Sequence, residues 1–337
     1  TPYAALSYIN EADDKARSIL QPLEKDYQQS WATEWHGDPF PCPKEDARGR
    51  PQAFMPYQNA GIHFGVTHKN TLLADEMGLG KSSQAIGIAN VMGYDRVLVI
   101  CPANLRANWR KEIQRWSTIP NVRSYPIFKA KDGVSPSANY VIISYELCRN
   151  EQLHQALCEY KWGMIIIDEA HFLKDRNSRR SQAVFGGGRG RASSKHVLGE
   201  GADRVVCLTG TYLPNRPREA FTIASALHPE SIDWMTYDEF GYRFNPSARE
   251  VNQYSDKVYN REERGRLPEL QARLRCNFMV RRLTADVLKD LPPKRYELTY
   301  IESNGDIDEV IARERMLDFS LSDLIEPDAA IFGQIST

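Results

Sequence analysis

The sequence predicts an α/β fold built on a mostly parallel sheet with helices on both faces. Two observations carry this expectation. Between residues 51 and 230, short apolar runs alternate with helical stretches. The runs are continuously apolar, as strands covered on both sides require. A third observation concerns function: the polar strings that stand out each follow one of these runs. In open parallel sheets ligands bind at the carboxyl ends of the strands, so these strings are expected to share one site.

The elements follow in chain order. Residues 1–50 form an accessory segment, helical from Tyr3 to Gln28 and then rich in proline and tryptophan around Pro39-Phe40-Pro41-Cys42-Pro43. Residues 51–230 are the α/β lobe. Its strands are expected at Thr71–Ala74, Val97–Cys101, Tyr140–Ser144, Met164–Ile167 and Val205–Leu208. Leu105, Trp109, Ile113 and Trp116 recur at the spacing of one helix face. Phe185 to Gly201, with Gly186-Gly187-Gly188-Arg189-Gly190-Arg191 at its centre, reads as a long mobile loop. Residues 231–290 lose the strand pattern and turn aromatic, charged and helical, a helical protrusion. Residues 291–337 begin something new after Leu291-Pro292-Pro293.

Composition narrows the function classes. The 337 residues are 42% hydrophobic and 26% charged, as in a soluble chain with a substantial core. No run reaches the length of a membrane span, and the N-terminus carries no signal-peptide pattern. A net charge of −1 gives no global basic signature, so nucleic acid must be met by local basic patches. The six cysteines form no C-x-x-C pair and read as reduced core residues of an intracellular protein.

The chemistry is concentrated in four strings. Asp75-Glu76-Met77-Gly78-Leu79-Gly80-Lys81-Ser82 follows the first apolar run. Its glycines let backbone N–H groups approach phosphate oxygens. Lys81 brings a charge to the terminal phosphates, and the Ser82 hydroxyl can ligate Mg²⁺. A helix starting near Lys81 adds its positive dipole end. The strict pattern has glycine five positions before Gly80, where this chain has Asp75. In the second string, Asp168-Glu169-Ala170-His171 follows Met164–Ile167. Asp168 is placed to hold the metal and Glu169 to orient and deprotonate a water. In the third, Thr209-Gly210-Thr211 ends another run, with hydroxyls suited to sensing a terminal phosphate. In the fourth, Gln58 offers the donor and acceptor that adenine recognition requires; the alternative is a polar surface glutamine.

Together these strings resemble the first motor lobe of the Swi/Snf family of DNA-dependent ATPases, in helicase superfamily two. The resemblance runs from about Phe54 to Lys294. It includes Ile100-Cys101-Pro102-Ala103-Asn104-Leu105 with Trp109, Ile143-Ser144-Tyr145-Glu146, and the bridging segment Phe278-Met279-Val280-Arg281-Arg282-Leu283 with Asp286-Val287-Leu288. Asp75 is usual in that family's nucleotide loop. Phe54-Met55-Pro56-Tyr57-Gln58 and Arg216-Pro217-Arg218-Glu219 lean toward its annealing-helicase branch. Tyr212 and Pro214-Asn215 depart from the family pattern.

The resemblance implies a RecA-like lobe that uses ATP and Mg²⁺, with residues 75–82 and Gln58 holding nucleotide and Ser82 and Asp168 holding metal. It implies that His171, Thr209, Gly210 and Thr211 couple the ATP site to movement. It also implies duplex or forked DNA along Pro102, Ala103, Asn104, Ser144 and Tyr145, and a second RecA-like lobe after the bridge that supplies arginine fingers. Without that lobe, ATP binding is expected to be weak and hydrolysis slight. The nucleus is the expected location in a eukaryote, the cytoplasm or nucleoid in a bacterium or phage. Arg176, Arg179, Arg180, Arg189, Arg191 and Lys195 form a second basic concentration, either a DNA grip or a solvated loop. Arg281 and Arg282 either organise the ATP site or cap a helix. The alternative functions are a strand-separating helicase and an ATP-gated DNA-binding module.

Overall fold

In the computed structural model of the chain, the described residues are Tyr3, 14–186, 198–211, 217–244 and 266–289. All of them fall in one compact unit that ends at Lys289. Its centre is a sheet of seven strands: β1 Thr71–Leu73, β2 Val97–Cys101, β3 Ser124–Pro126, β4 Tyr140–Ser144, β5 Trp162–Asp168, β6 Ala202–Leu208 and β7 Met279–Val280. They lie in the order β3-β4-β2-β5-β6-β1-β7, and every pairing is parallel.

Parallel pairing needs crossovers, and the helices supply two covering layers. They are α1 Asp14–Trp31, α2 Pro56–Thr67, α3 Lys81–Met92, α4 Arg106–Trp116, α5 Glu151–Glu159, α6 Arg179–Phe185, α7 Ala220–Leu227, α8 Tyr237–Phe244, α9 Arg266–Asn277 and α10 Thr284–Val287. Alternate residues of each strand serve opposite faces. Leu98, Ile100, Ile165, Ile167 and Val205 join a core with α5, α7, α8 and α9. Val97, Val99, Met164, Ile166 and Val206 join the opposite core with α2, α3 and α4. The helix face read from Leu105 onward is real: Trp109, Ile113 and Trp116 are the buried side chains of α4.

The structure departs from the sequence reading in particular places. β3 and β7 were not expected. β3 contains Pro126 and sits at the sheet edge, where a missing N–H is tolerated. β7 is two residues long, too short to show a period, and lies within the stretch expected to be only helical. It lines the other edge, where Leu72 and Ala74 N–H groups donate to Phe278 and Val280 carbonyls at 2.7 Å each. The N-terminal helix reaches Trp31. Helix α6 runs through Phe185 and Gly199–Gly201 form a 3-10 turn, while residues 187–197 of the expected loop lie outside the described residues. Arg189, Arg191, Lys195, Tyr212, Pro214, Asn215 and residues 291–337 lie outside the described residues.

Buried polar groups pin the layers to the sheet. Arg204 on β6 is buried and donates to the Gly65, Val66 and His68 carbonyls at the end of α2. A cation at a helix C-terminus satisfies carbonyls that the helix itself leaves open.

Candidate functional site

Register decides the site. Leu73 of β1 pairs with Leu208 of β6, and Leu208 pairs with Asp168 of β5. The three carboxyl ends are therefore level, and the segments after them emerge side by side. The Thr209 N–H donates to the Leu73 carbonyl at 3.1 Å, which ties the third string to the first.

After β1 the chain turns through residues 75–80 and enters α3 at Lys81. Gly78 and Gly80 carry φ of 89° and 70°. These left-handed values cost little for glycine and more for other residues. Gly80 has a second reason to lack a side chain: a Cβ there would stand 2.3 Å from Gln58 Nε2. Around Gly78 nothing lies within 4 Å of such a position, so the turn is open on that side. Lys81 Nζ donates to the Asp75 and Glu76 carbonyls at 2.9 and 3.2 Å, closing the loop on itself. Burial pulls the Lys81 pKa down, and the carboxylates of Asp75, Glu169 and Asp168 pull it back up. A Cβ on Gly210 would stand 3.6 Å from Lys81 Nζ and 2.6 Å from Met77 Cγ, so the Thr209–Thr211 turn closes against the loop.

The two carboxylates are held differently. Asp168 is buried and accepts a hydrogen bond from Trp109 Nε1 at 2.8 Å and from the Glu169 N–H at 2.9 Å. Burial raises its pKa, the Trp109 bond opposes that, and Glu169 adds to it. Glu169 sits at φ 52°, an uncommon conformation for a non-glycine residue and one that clusters at functional sites. Its Oε2 lies 3.1 Å from His171 Nδ1, and that nitrogen lies 3.2 Å from Thr209 Oγ1. Thr209 Oγ1 in turn accepts the Thr211 N–H at 3.1 Å. Glu169, His171, Thr209 and Thr211 thus form one connected chain of polar contacts beside Lys81.

Beneath the loop lies a network that the sequence reading missed. Asp75, expected to bind nucleotide, is fully buried. Its Oδ1 accepts from Arg282 N and Nε at 3.0 Å each, and its Oδ2 from Arg282 Nη2 at 2.6 Å and Gln84 Nε2 at 3.0 Å. This side chain is a brace under the loop rather than a phosphate contact. Arg282 Nη1 also reaches the Tyr57 carbonyl, and Arg281 Nη1 donates to Ala74 O at 2.9 Å. Both hold the end of β1, Arg281 through Ala74 O and Arg282 through the Asp75 carboxylate. Glu76 Oε2 accepts the Thr284 N–H at 2.7 Å, joining the loop to α10. The departure from glycine at position 75 was the available signal. Its partner Arg282 stands too far along the chain to be paired by inspection.

Gln58 is also built in. Its Oε1 accepts the Met55 N–H at 2.9 Å, and its Nε2 donates to Leu79 O at 3.4 Å. An amide has two lone pairs and two hydrogens, so each end keeps one position for a base. The exposed-glutamine alternative is excluded by its burial.

The expected DNA contacts divide. Ala103 and Asn104 are exposed and Pro102 partly so, on the turn after β2. Ser144 and Tyr145 need correction: both are 2% exposed. Ser144 Oγ accepts the Leu147 N–H at 3.4 Å. Tyr145 OH donates to the Asp168 carbonyl at 2.6 Å, so its ring enters the core to support the acidic turn. In the second basic group, Arg176 stacks over Tyr237 and Arg180 over Phe172, at 4.4 and 5.4 Å from the ring centroids.

Comparison with known proteins agrees with this geometry. Residues 53–310 match the SNF2-related domain. The chain is 33% identical to the SWI/SNF-related matrix-associated actin-dependent regulator of chromatin subfamily A-like protein 1 homolog of Caenorhabditis elegans. That alignment covers 74% of this chain and 34% of the relative. It is 31% identical to the DNA annealing helicase and endonuclease ZRANB3 of Bos taurus, over 71% of this chain and 22% of the relative. The fold is similar to that of the Sulfolobus solfataricus SWI2/SNF2 ATPase core solved in complex with dsDNA, with TM-score 0.56 and 23% identity. That match covers 77% of this chain and 49% of the other. The chain therefore spans about a third or less of the curated relatives it matches.

Proposed function

The chain belongs to the SNF2-related family, and from that premise we propose that it is the ATP-binding lobe of a DNA-dependent ATPase that moves on or remodels double-stranded DNA. The observation that carries the proposal is the level register of β1, β5 and β6. It brings Lys81, Asp168, Glu169 and Thr209 together from separate parts of the chain.

The residues fit a magnesium-bound triphosphate. The loop is open at Gly78, and the N-terminal N–H groups of α3 lack intrahelical acceptors. Ser82 and Asp168 are oxygen donors of the kind Mg²⁺ selects. Bound there, Mg²⁺ would neutralise charge that develops on the terminal phosphates. The chain's own residues do the rest. Lys81 Nζ exchanges its carbonyl contacts for phosphate oxygens. Trp109 and the Glu169 N–H fix the Asp168 carboxylate. The Glu169 carboxylate orients the attacking water and takes its proton, with His171 Nδ1 fixing the Oε2 end. Thr209 and Thr211 report the change through the same His171 contact. Gln58 reads adenine with its remaining donor and acceptor.

The DNA partner is proposed for the edge at Pro102, Ala103 and Asn104, through backbone contacts that are independent of base sequence and sensitive to salt. A second RecA-like lobe would complete the motor; its location is the nucleus if the source is eukaryotic and the cytoplasm or nucleoid if it is bacterial or phage. Among the described residues no helix is long and apolar enough to cross a membrane. Calorimetry on Lys81→Ala tests the site: ATP binding is expected to vanish, and an affinity equal to the parent's rejects the assignment.

A further inference from the structure

The family match begins at residue 53, yet the helix α1 lies before it, and its end meets arginines of which Arg282 also holds Asp75. Only Leu20 and Ser30 of α1 are buried, so the helix adds little to the apolar core. Its C-terminal end makes buried polar contacts. That end presents open carbonyls and the negative pole of the helix dipole, and the last turn carries no basic residue.

Two buried arginines from the far end of the chain supply the missing cations. Arg275 on α9 is 1% exposed. Its Nη1 donates to Ser30 O at 3.1 Å and to Ser30 Oγ at 3.4 Å, and its guanidinium lies 3.3 Å from the Trp31 ring centroid. Its Nη2 donates to the Arg281 carbonyl at 2.9 Å. Among the described residues these hydrogen bonds all go to uncharged oxygens. Burial depresses the Arg275 pKa to about 10, the mark of a charge that lacks water. Next to it, Arg282 donates to Ala32 O at 3.3 Å with Nη1, while its Nε and Nη2 hold Asp75.

We infer that the end of α1 is a positioning strap for the nucleotide loop, acting through Arg275 and Arg282 on Asp75. The inference rests on the ATP-site reading above. Without the carbonyls of residues 30–32, the Arg275 charge is left with the Arg281 carbonyl and must seek water. A buried charge deprived of its partners does not stay in place. Its movement displaces the 281–282 backbone, whose Arg282 N–H and side chain grip Asp75 at the root of the loop. Coupling is reciprocal, so nucleotide held by the loop also holds α1.

Hydrogen exchange on the full chain, with and without Mg-ATP, tests the strap. The expected result is slower exchange over residues 14–31 when nucleotide is bound, by about 5-fold or more. Trp31→Ala is expected to weaken ATP affinity by a similar factor. Arg275→Met removes the buried charge, and in that background Trp31→Ala is expected to have no further effect on ATP affinity. A merely structural helix would give the same loss in both backgrounds. If the parent binds ATP while exchange over residues 14–31 is unchanged, the strap is wrong and the ATP-site reading stands. If the parent binds no ATP, both fall.

Discussion

Asp75 and Tyr145 show how a residue's role follows from what its atoms touch. A strand-end aspartate beside a phosphate loop invites a ligand role, but Asp75 spends both oxygens on Arg282 and Gln84. Such a pair gains its stability from complete hydrogen bonding as much as from charge, because desolvation offsets much of the attraction. Tyr145 likewise faces inward, and its hydroxyl supports the carbonyl of Asp168. Tyr145→Phe keeps the ring and removes that one donor. It is expected to lower unfolding free energy by about 1–3 kcal/mol, the cost of a buried acceptor left open. Denaturant titration measures this. Duplex affinity of the variant should equal the parent's, since the ring is shielded from solvent; a large loss of DNA binding with normal stability would restore Tyr145 as a contact.

At the scale of elements, α2 and α3 cross in close contact, and glycines make this feasible. A Cβ on Gly61 would stand 2.0 Å from Gln84 Oε1 and 2.6 Å from Arg282 Nη2. Those atoms belong to the network under the loop and have little freedom to retreat. Gly61→Ala is therefore expected to cost about 1–3 kcal/mol through overpacking, and to weaken ATP affinity because Gln84 shifts against Asp75. Stability without loss of affinity would mean that α2 moves as a body and leaves the loop intact. The same elements show what was legible in the sequence. β2, β4, β5 and the Val205–Leu208 part of β6 announce themselves because strand stretches buried on both faces are largely apolar. The turn from β1 into α3 is visible because glycine and Gly-Lys-Ser chemistry is local. β7 and the brace were not legible: a two-residue strand has no period, and the Asp75–Arg282 pair joins distant segments. Ser144 and Tyr145 misled because their place at a strand end does not say which way the side chain turns.

For the whole molecule, the consequence is that the loop of residues 75–80 lies at the junction of segments from almost every part of the described unit. β1 carries it, α2 and α3 flank it, the turns after β5 and β6 face it, and β7 with Arg281 and Arg282 supports its root. A ligand that binds such a junction stabilises the folded unit as a whole, because unfolding any layer dismantles the site. Linkage sets the size of the effect. At a ligand concentration 100 times Kd the stabilisation is about 2.7 kcal/mol. For a domain of this class, 1 kcal/mol moves Tm by roughly 2–4 °C. Saturating Mg-ATP is thus expected to raise Tm by about 5–11 °C in a thermal melt. Chelation of Mg²⁺ should shrink the shift, since the proposed ion would no longer offset the phosphate charge, and Lys81→Ala should abolish it. A Tm unmoved by Mg-ATP, in a parent chain that melts cooperatively, would show that the gathered residues do not clasp the nucleotide, however well their register aligns them.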